Sequence, residues 1–297
     1  MKTDLDTLLT ALYVHIDDAL KPVRRIGRPP RLTDAELITL AVAQALLNIR
    51  SETRWLRFVR RALPGMVPYL PGQSGYNKRL RAAYGLLKHL IRELATRTDY
   101  WSDDVWIVDS TPVECARSRP TVRRSNLAGW ASYGYCASHS RFFWGLRLHL
   151  VCTPHGLPIT FALAGAKHDD REVLTDLFDR EPHLLTHRPG QTIIADKGYT
   201  SRGLDQALAD RGATLLRPAH RNRAPRPGEH LLKTVRQLIE WVNDTLKDQL
   251  DLERHGARSI EGVAARVCQR LLALTAAIWH NNTTRQPIAR SLIAYDH

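Results

Sequence analysis

Cysteine is scarce and unpatterned in this chain: Cys115, Cys136, Cys152 and Cys268 form no C-x-x-C pair. That spacing excludes a zinc ribbon and a small disulfide framework of the secreted kind. Long apolar runs are missing too. The longest, residues 38–47 and 271–279, fall well short of the ~18 residues that cross a bilayer. Asp4 and Asp6 stand where a signal peptide needs a basic and then an apolar stretch. The chain therefore reads as soluble and cytoplasmic, with no membrane partner. There is no P-loop, no G-x-S-x-G elbow, no dinucleotide fingerprint and no internal repeat. Acidic residues are also in short supply, at 30 against 43 Lys and Arg.

What is present is a globular balance, with 43% hydrophobic and 25% charged residues over 297 positions and a net charge of +13. An excess of that sign points to a polyanionic partner, because neutralised phosphates release condensed counterions. The excess is uneven: residues 1–100 hold 17 basic and 9 acidic side chains. This first region reads as helices broken by turns. Thr33 and Asp34 precede a helix-like run over 35–47, Ser51 caps a second helix, and Ser74 caps a third that continues towards Leu94.

From Val105 the pattern changes. VWIVD, residues 105–109, is a short apolar run ending in a carboxylate. Residues 143–153 and 157–164 read as two strands joined by Pro154-His155-Gly156, a hairpin. A helix over 170–178, a strand over 192–196, a helix over 201–211 and a strand over 213–216 follow. An Arg- and Pro-rich loop then leads to two long helices, near 231–250 and 260–280. This order predicts an α/β fold, an RNase H-like mixed sheet flanked by helices, preceded by an all-α region. The division expected is 1–100, a helix-turn-helix-like DNA-binding region, and 101–297, a catalytic domain.

Two predicted strands end in aspartate, Asp109 after VWIV and Asp196 after TIIA. Ligand sites in α/β sheets assemble at the carboxyl ends of neighbouring strands. Singly, such an Asp is usually a turn or cap residue; the pair, each closing an apolar run, points to function. The third carboxylate, Glu240, falls in the helix over 231–250. At 100° per residue Arg236, Glu240 and Lys247 share one face, while Val235, Ile239, Val242 and Leu246 form an apolar stripe. An ordinary amphipathic helix with i,i+4 ion pairs gives the same spacing.

At this point the chain resembles a known family. Asp109-Ser-Thr-Pro, Asp196-Lys-Gly-Tyr and Arg236-x3-Glu240-x6-Lys247 look like the three signature blocks of DDE insertion-sequence transposases. The stretches from Asp109 to His149 and from Leu250 onwards look like the insertion sequence 982 group in particular. Lys233 departs from related families, which often carry Tyr there. The resemblance implies an RNase H-like fold that cleaves and joins DNA strands with two Mg²⁺ or Mn²⁺ ions. Asp109 would be the shared metal ligand, and Asp196 and Glu240 would each complete one ion's shell. Hard carboxylate oxygens suit such ions, and a pair of ions clamps the attacking and leaving oxygens of an in-line displacement. The implied partners are double-stranded DNA, as terminal inverted repeats and as target, and further copies of the chain, in a homodimer or larger assembly on DNA. Two other readings stay open: a catalytically silent DNA-binding protein, and an RNase H-like nuclease that cuts without joining.

Candidate DNA contacts follow. Lys197 and Lys247 lie beside the cut, with Arg236 orienting the site. Tyr199 either stacks on a displaced base or is a core aromatic. Arg50, Arg54, Arg57 and Arg61 recur at helical spacing, as a DNA-binding stripe or a solvated basic face. Arg217, Arg221, Arg223 and Arg226 line the loop before the Glu240 helix, and Arg117, Arg119, Arg123 and Arg124 follow Asp109 in a long connection. His168-Asp169-Asp170 is a rival metal cluster, better read as a helix cap.

Overall fold

The structure of the protein is a computed structural model. It describes residues 5–20, 30–116, 118–136, 140–218, 232–288 and Leu292, with backbone alone at 233–236. The chain forms two compact units, Met1–Thr98 with Thr245–His297, and Asp99–Asp244.

The first unit is helical. Its helices are α1 (Leu5–Ala19), α2 (Asp34–Leu46), α3 (Glu52–Ala62), α4 (Gln73–Ala82) and α5 (Tyr84–Thr96), with a later helix at Ile260–Thr283. Helix α2 opens with a capping box, Thr33 and Glu36 each bonding the other's backbone N–H. Ser51 caps α3 by accepting from the N–H of Arg54 at 3.3 Å. The expected cap at Ser74 is corrected. Gly72 precedes the helix, and the run towards Leu94 breaks at Ala83 into α4 and α5.

The Ile260–Thr283 helix is buried around most of its circumference, which a core helix shows and a surface helix does not. It packs on α1, α2, α4 and α5. The compact units therefore differ from a division at residue 100: the last helix shares its core with the first hundred residues. Its buried Arg266 is ion-paired with Glu52 and donates to Gln44 at 3.2 Å and Gln269 at 2.7 Å. Gln269 in turn donates to the carbonyl of Ala41 at 2.7 Å.

The second unit is a mixed sheet with helices. Its strands are β1 (Val105–Ala116), β2 (Ser132–Cys136), β3 (Arg141–Cys152), β4 (Pro158–Gly165), β5 (Thr192–Ile194) and β6 (Thr214–Leu216). The helices are α6 (Arg119–Arg123), α7 (Asp170–Arg180), α8 (His183–Thr186), α9 (Arg202–Ala209) and α10 (Leu232–Asp244). The sheet order is β2-β3-β1-β5-β6, with β4 also paired to β3. Strand β3 is long enough to hold β2 along residues 141–145 and β4 along 146–152. Strand β3 runs antiparallel to β1, β2 and β4, whereas β5 and β6 run parallel to β1. This mixed sheet, flanked by helices and preceded in the chain by a helical region, is RNase H-like.

One face of the sheet carries Trp106, Val108, Val151 and Ile159 into a core with Phe178 of α7 and Leu204 and Leu208 of α9. The β3–β4 hairpin turns at Gly156, whose φ of +80° disfavours side chains and whose added Cβ would press on Val242 and Trp241 of α10 at about 3 Å. Past Asp244 the chain continues into a π-helical turn, Thr245–Gln249. The regular 100° count that aligned Lys247 with Glu240 therefore does not run through this segment. Among the described residues no helix is long and apolar enough to cross a membrane.

Candidate active site

Parallel pairing sets the two aspartates level with each other. Val105, Trp106 and Ile107 of β1 pair with Thr192, Ile193 and Ile194 of β5. Asp109 and Asp196 each lie two residues beyond the last pair, Ile107 and Ile194, so the period of two turns both to one face. Asp109 is not at a strand tip, as expected from VWIVD. Strand β1 loses β5 there but continues to Ala116 against β3, with Asp109 opposite Leu150. Pro112 is tolerated because this stretch of β1 has one open edge.

Asp196 lies just past its strand, which ends at Ile194 and not at 196 as expected. It caps the short turn Lys197–Tyr199 by accepting from the N–H of Gly198 at 2.8 Å. A Cβ on Gly198 would stand 3.0 Å from that carboxylate oxygen. Asp196 and Lys197 are exposed, whereas Tyr199 is 1% exposed and packed in the sheet core. Base stacking by Tyr199 is thereby corrected to the alternative, a core aromatic.

Asp109 is half-buried, and its carboxylate is held from two sides. Oδ1 accepts from the N–H of Ser110 at 2.8 Å, and Oδ2 accepts from Nδ2 of Asn243 at 2.7 Å. Burial pushes its pKa up to about 6, with the charges of Asp196 and Asp170 adding to the rise and the two hydrogen bonds opposing it. Asn243 belongs to α10, which packs on β1. Glu240 is exposed and stands three residues, one turn, before Asn243 on that helix.

Asp170, dismissed with the helix cap in the sequence, lies near enough for its charge to raise the Asp109 pKa, although its partner Ser110 alternates to the other face of β1. Asp169 does cap α7, accepting from the N–H of Arg171 at 2.8 Å. Asp170 instead accepts from Ser110 Oγ at 3.1 Å and lies 3.5 Å from Arg147. Its pKa is raised by burial, against the pull of Arg147 and Ser110. Beside it, His149 is buried, and burial with Arg147 and His168 lowers its pKa to about 4, so it stays neutral. Its ring nitrogens and Asp170 Oδ1 have no hydrogen-bond partner among the described residues.

A half-buried Asp109 carboxyl under the charges of Asp196 and Asp170 fits a divalent cation, because added positive charge relieves that repulsion without protonation. Among the described residues no three acidic, His or Cys side chains are gathered closely enough to hold a metal ion in this conformation. The site thus has its charge assembled and its ligand geometry open.

The other sequence candidates scatter. Arg217 is 2% exposed and grips Asp205 with both terminal nitrogens, one of them at 2.6 Å, so it is a structural residue and not a DNA contact. Arg54, Arg57 and Arg61 lie exposed along α3, opposite the buried Trp55, Leu56 and Val59. Arg50 precedes that helix and pairs with Asp251, which removes it from the stripe. Lys247 is half-buried in the π-helical turn. Arg117, Arg221, Arg223 and Arg226 lie outside the described residues, as does the side chain of Arg236.

Sequence reasoning missed Asn243 and Asp170. The only signal for Asn243 was its place one turn after Glu240, on the flank facing the strand.

A search of curated proteins and a search of solved structures returned no match. The family model described as "Transposase DDE domain" matches residues 100–276, more than half of the chain and including Asp109, Asp196 and Glu240. With an RNase H-like sheet presenting paired aspartates, the chain belongs to the DDE transposase family.

Proposed function

We propose that this transposase cleaves the ends of its own insertion sequence and joins them to target DNA, with Asp109, Asp196 and Glu240 as its catalytic carboxylates. The level placement of Asp109 and Asp196 beyond the β1–β5 pairs carries the reading. The grip of Asn243 on Asp109 supports it, because the same helix then bears Glu240 one turn away.

Asp109 and Asp196, with Glu240 brought in by α10, would hold two Mg²⁺ or Mn²⁺ ions. Such ions, when bound, stabilise the charge of an in-line displacement at phosphorus. The chain's own residues do the rest. Ser110 and Asn243 fix the rotamer of Asp109. Arg147 and Ser110 hold Asp170 at the rim. Lys197, exposed beside Asp196, is placed to meet a phosphate, while Arg54, Arg57 and Arg61 present cations to duplex DNA. The narrower likeness to the insertion sequence 982 group, a helical DNA-binding region at 1–100 and assembly as a dimer or larger on two DNA ends belong to the same proposal.

The test is cleavage of a plasmid carrying the encoding locus with its flanks, with Mg²⁺ or Mn²⁺. Asp109→Asn, Asp196→Asn and Glu240→Gln should each abolish cleavage and leave DNA binding largely intact. Full cleavage by any one variant removes that residue from the site. Supplying pre-cut ends separates joining from a nuclease that only cuts.

A further inference from the structure

Strands β2 and β3 form a ribbon whose aromatic residues the chemistry above does not use. Tyr133 pairs with Trp144, and Tyr135 with Phe142, so four rings share one face. The other face is filled: Cys136 and Phe143 pack on Ala166, and a Cβ on Gly134 would meet Ala166 at 2.7 Å. On the aromatic face Trp144 is buried, but Tyr133 is 45%, Tyr135 46% and Phe142 77% exposed. Tyr135 and Phe142 lie 5.0 Å apart, tilted.

Of these rings, Tyr133, Phe142 and Trp144 border a cleft of about 620 Å³ that Glu114, Arg119 and Arg141 also line. Glu114 and Arg141 are 3.3 Å apart, so the acid is already matched. Arg119 is exposed at that cleft, and Arg123 and Arg124 are exposed further along α6 and just past it, so cations stand at and near the rings. Leu150 stands opposite Asp109 on β1, and Trp144 lies six residues earlier along β3. Residues six apart in a strand share a face, so the rings lie on Asp109's side of the sheet, about 20 Å away along β3. That distance is about six nucleotides at the spacing of a B-form strand, and fewer in an extended single strand.

We propose that this ribbon is a stacking site for unpaired bases of the DNA strand that leaves the carboxylates. The inference rests on the proposed catalytic reading only for the direction of that strand. The ring faces take bases without regard to sequence, and the arginines take the connecting phosphates. Three exposed rings give far less than the ~800 Å² per partner of a stable protein interface, which favours a nucleobase over a second copy of the chain.

The test uses the full chain and two DNAs, one a fully paired duplex and one bearing a single-stranded tail of about six nucleotides with 2-aminopurine in it. Tighter binding of the tailed DNA and quenching of the base analogue are expected of the wild type. Phe142→Ala with Tyr135→Ala should weaken tailed-DNA binding about 10-fold and restore fluorescence, with less than about 2-fold change on the paired duplex. Phe142→Trp should retain both signals, and Phe142→Leu, which keeps apolar bulk, should lose the quenching. Equal loss on both DNAs, unchanged quenching in the double variant, or a loss confined to self-association in sedimentation would each overturn the proposal. Asp109→Asn should keep the tail preference; if that variant still cleaves DNA, the catalytic reading fails while the stacking result stands.

Discussion

Each unit buries a polar cluster, and the two clusters are built in opposite ways. In the helical unit, buried Arg266 meets Glu52, Gln44 and Gln269, each charge and dipole matched. In the α/β unit, Asp109 sits near Asp196 and Asp170, and His149 has no hydrogen-bond partner among the described residues. Matched burial holds helices in register. Like charges kept together by a sheet and a helix are costly to folding and persist where chemistry needs them. The contrast teaches which buried charges to read as architecture and which as function.

The contrast can be broken by substitution, starting with the largest effect. Asp109→Asn and Asp196→Asn should lower DNA cleavage at least roughly 10³-fold, measured by single-turnover product formation. Loosening the grip on Asp109, in Asn243→Ala, should lower the rate less, and a wild-type rate would show that α10 does not hold that carboxylate. In the helical unit Glu52→Ala strips a partner from buried Arg266 and should cost about 3–5 kcal/mol in denaturant unfolding. A cost under about 1 kcal/mol would mean the network is not structural.

The same logic predicts the opposite sign at the active site. The pKa of Asp109 is raised to about 6 from 3.8, so the folded state binds the proton more tightly than the unfolded one. Stability contributed by the protonated form is present below the unfolded pKa and is lost as pH rises through about 6. Without divalent ions at pH 7, Asp109→Asn should therefore be more stable than the wild type, by up to about 3 kcal/mol. The difference should vanish below pH 4, in scanning calorimetry, and a destabilised variant at pH 7 would contradict the assignment. Smallest of all, replacing Arg54, Arg57 and Arg61 by Ala should flatten the salt dependence of DNA binding, by up to about 0.9 in log–log slope for each phosphate these arginines neutralise.

Much of this contrast was legible in the sequence where signals are local. The apolar β-runs leading to Asp109 and Asp196, the capping box at Thr33, the Ser51 cap and the hairpin at Pro154-His155-Gly156 are all short-range patterns. What failed was decided by tertiary partners. Arg217 looked like one of a cationic loop until Asp205 took its guanidinium. Tyr199 follows a glycine turn that points it inward. Arg50 has helical spacing but finds Asp251, 201 residues away. Strand β2 and the extension of β1 past Asp109 went unread because pairing to the long β3, and not propensity, stabilises them. The last helix carries too few polar residues to betray its place in the helical core, and Asn243 gains meaning only when α10 lies on β1.

That Asp109 and Asp196 share divalent ions is tested most directly by thermal unfolding with and without Mn²⁺. Saturating Mn²⁺ should raise the melting temperature of the wild type, since a ligand bound only by the folded state stabilises it. The rise should disappear in both Asp109→Asn and Asp196→Asn. An equal Mn²⁺ shift in the wild type and both variants would contradict a shared site.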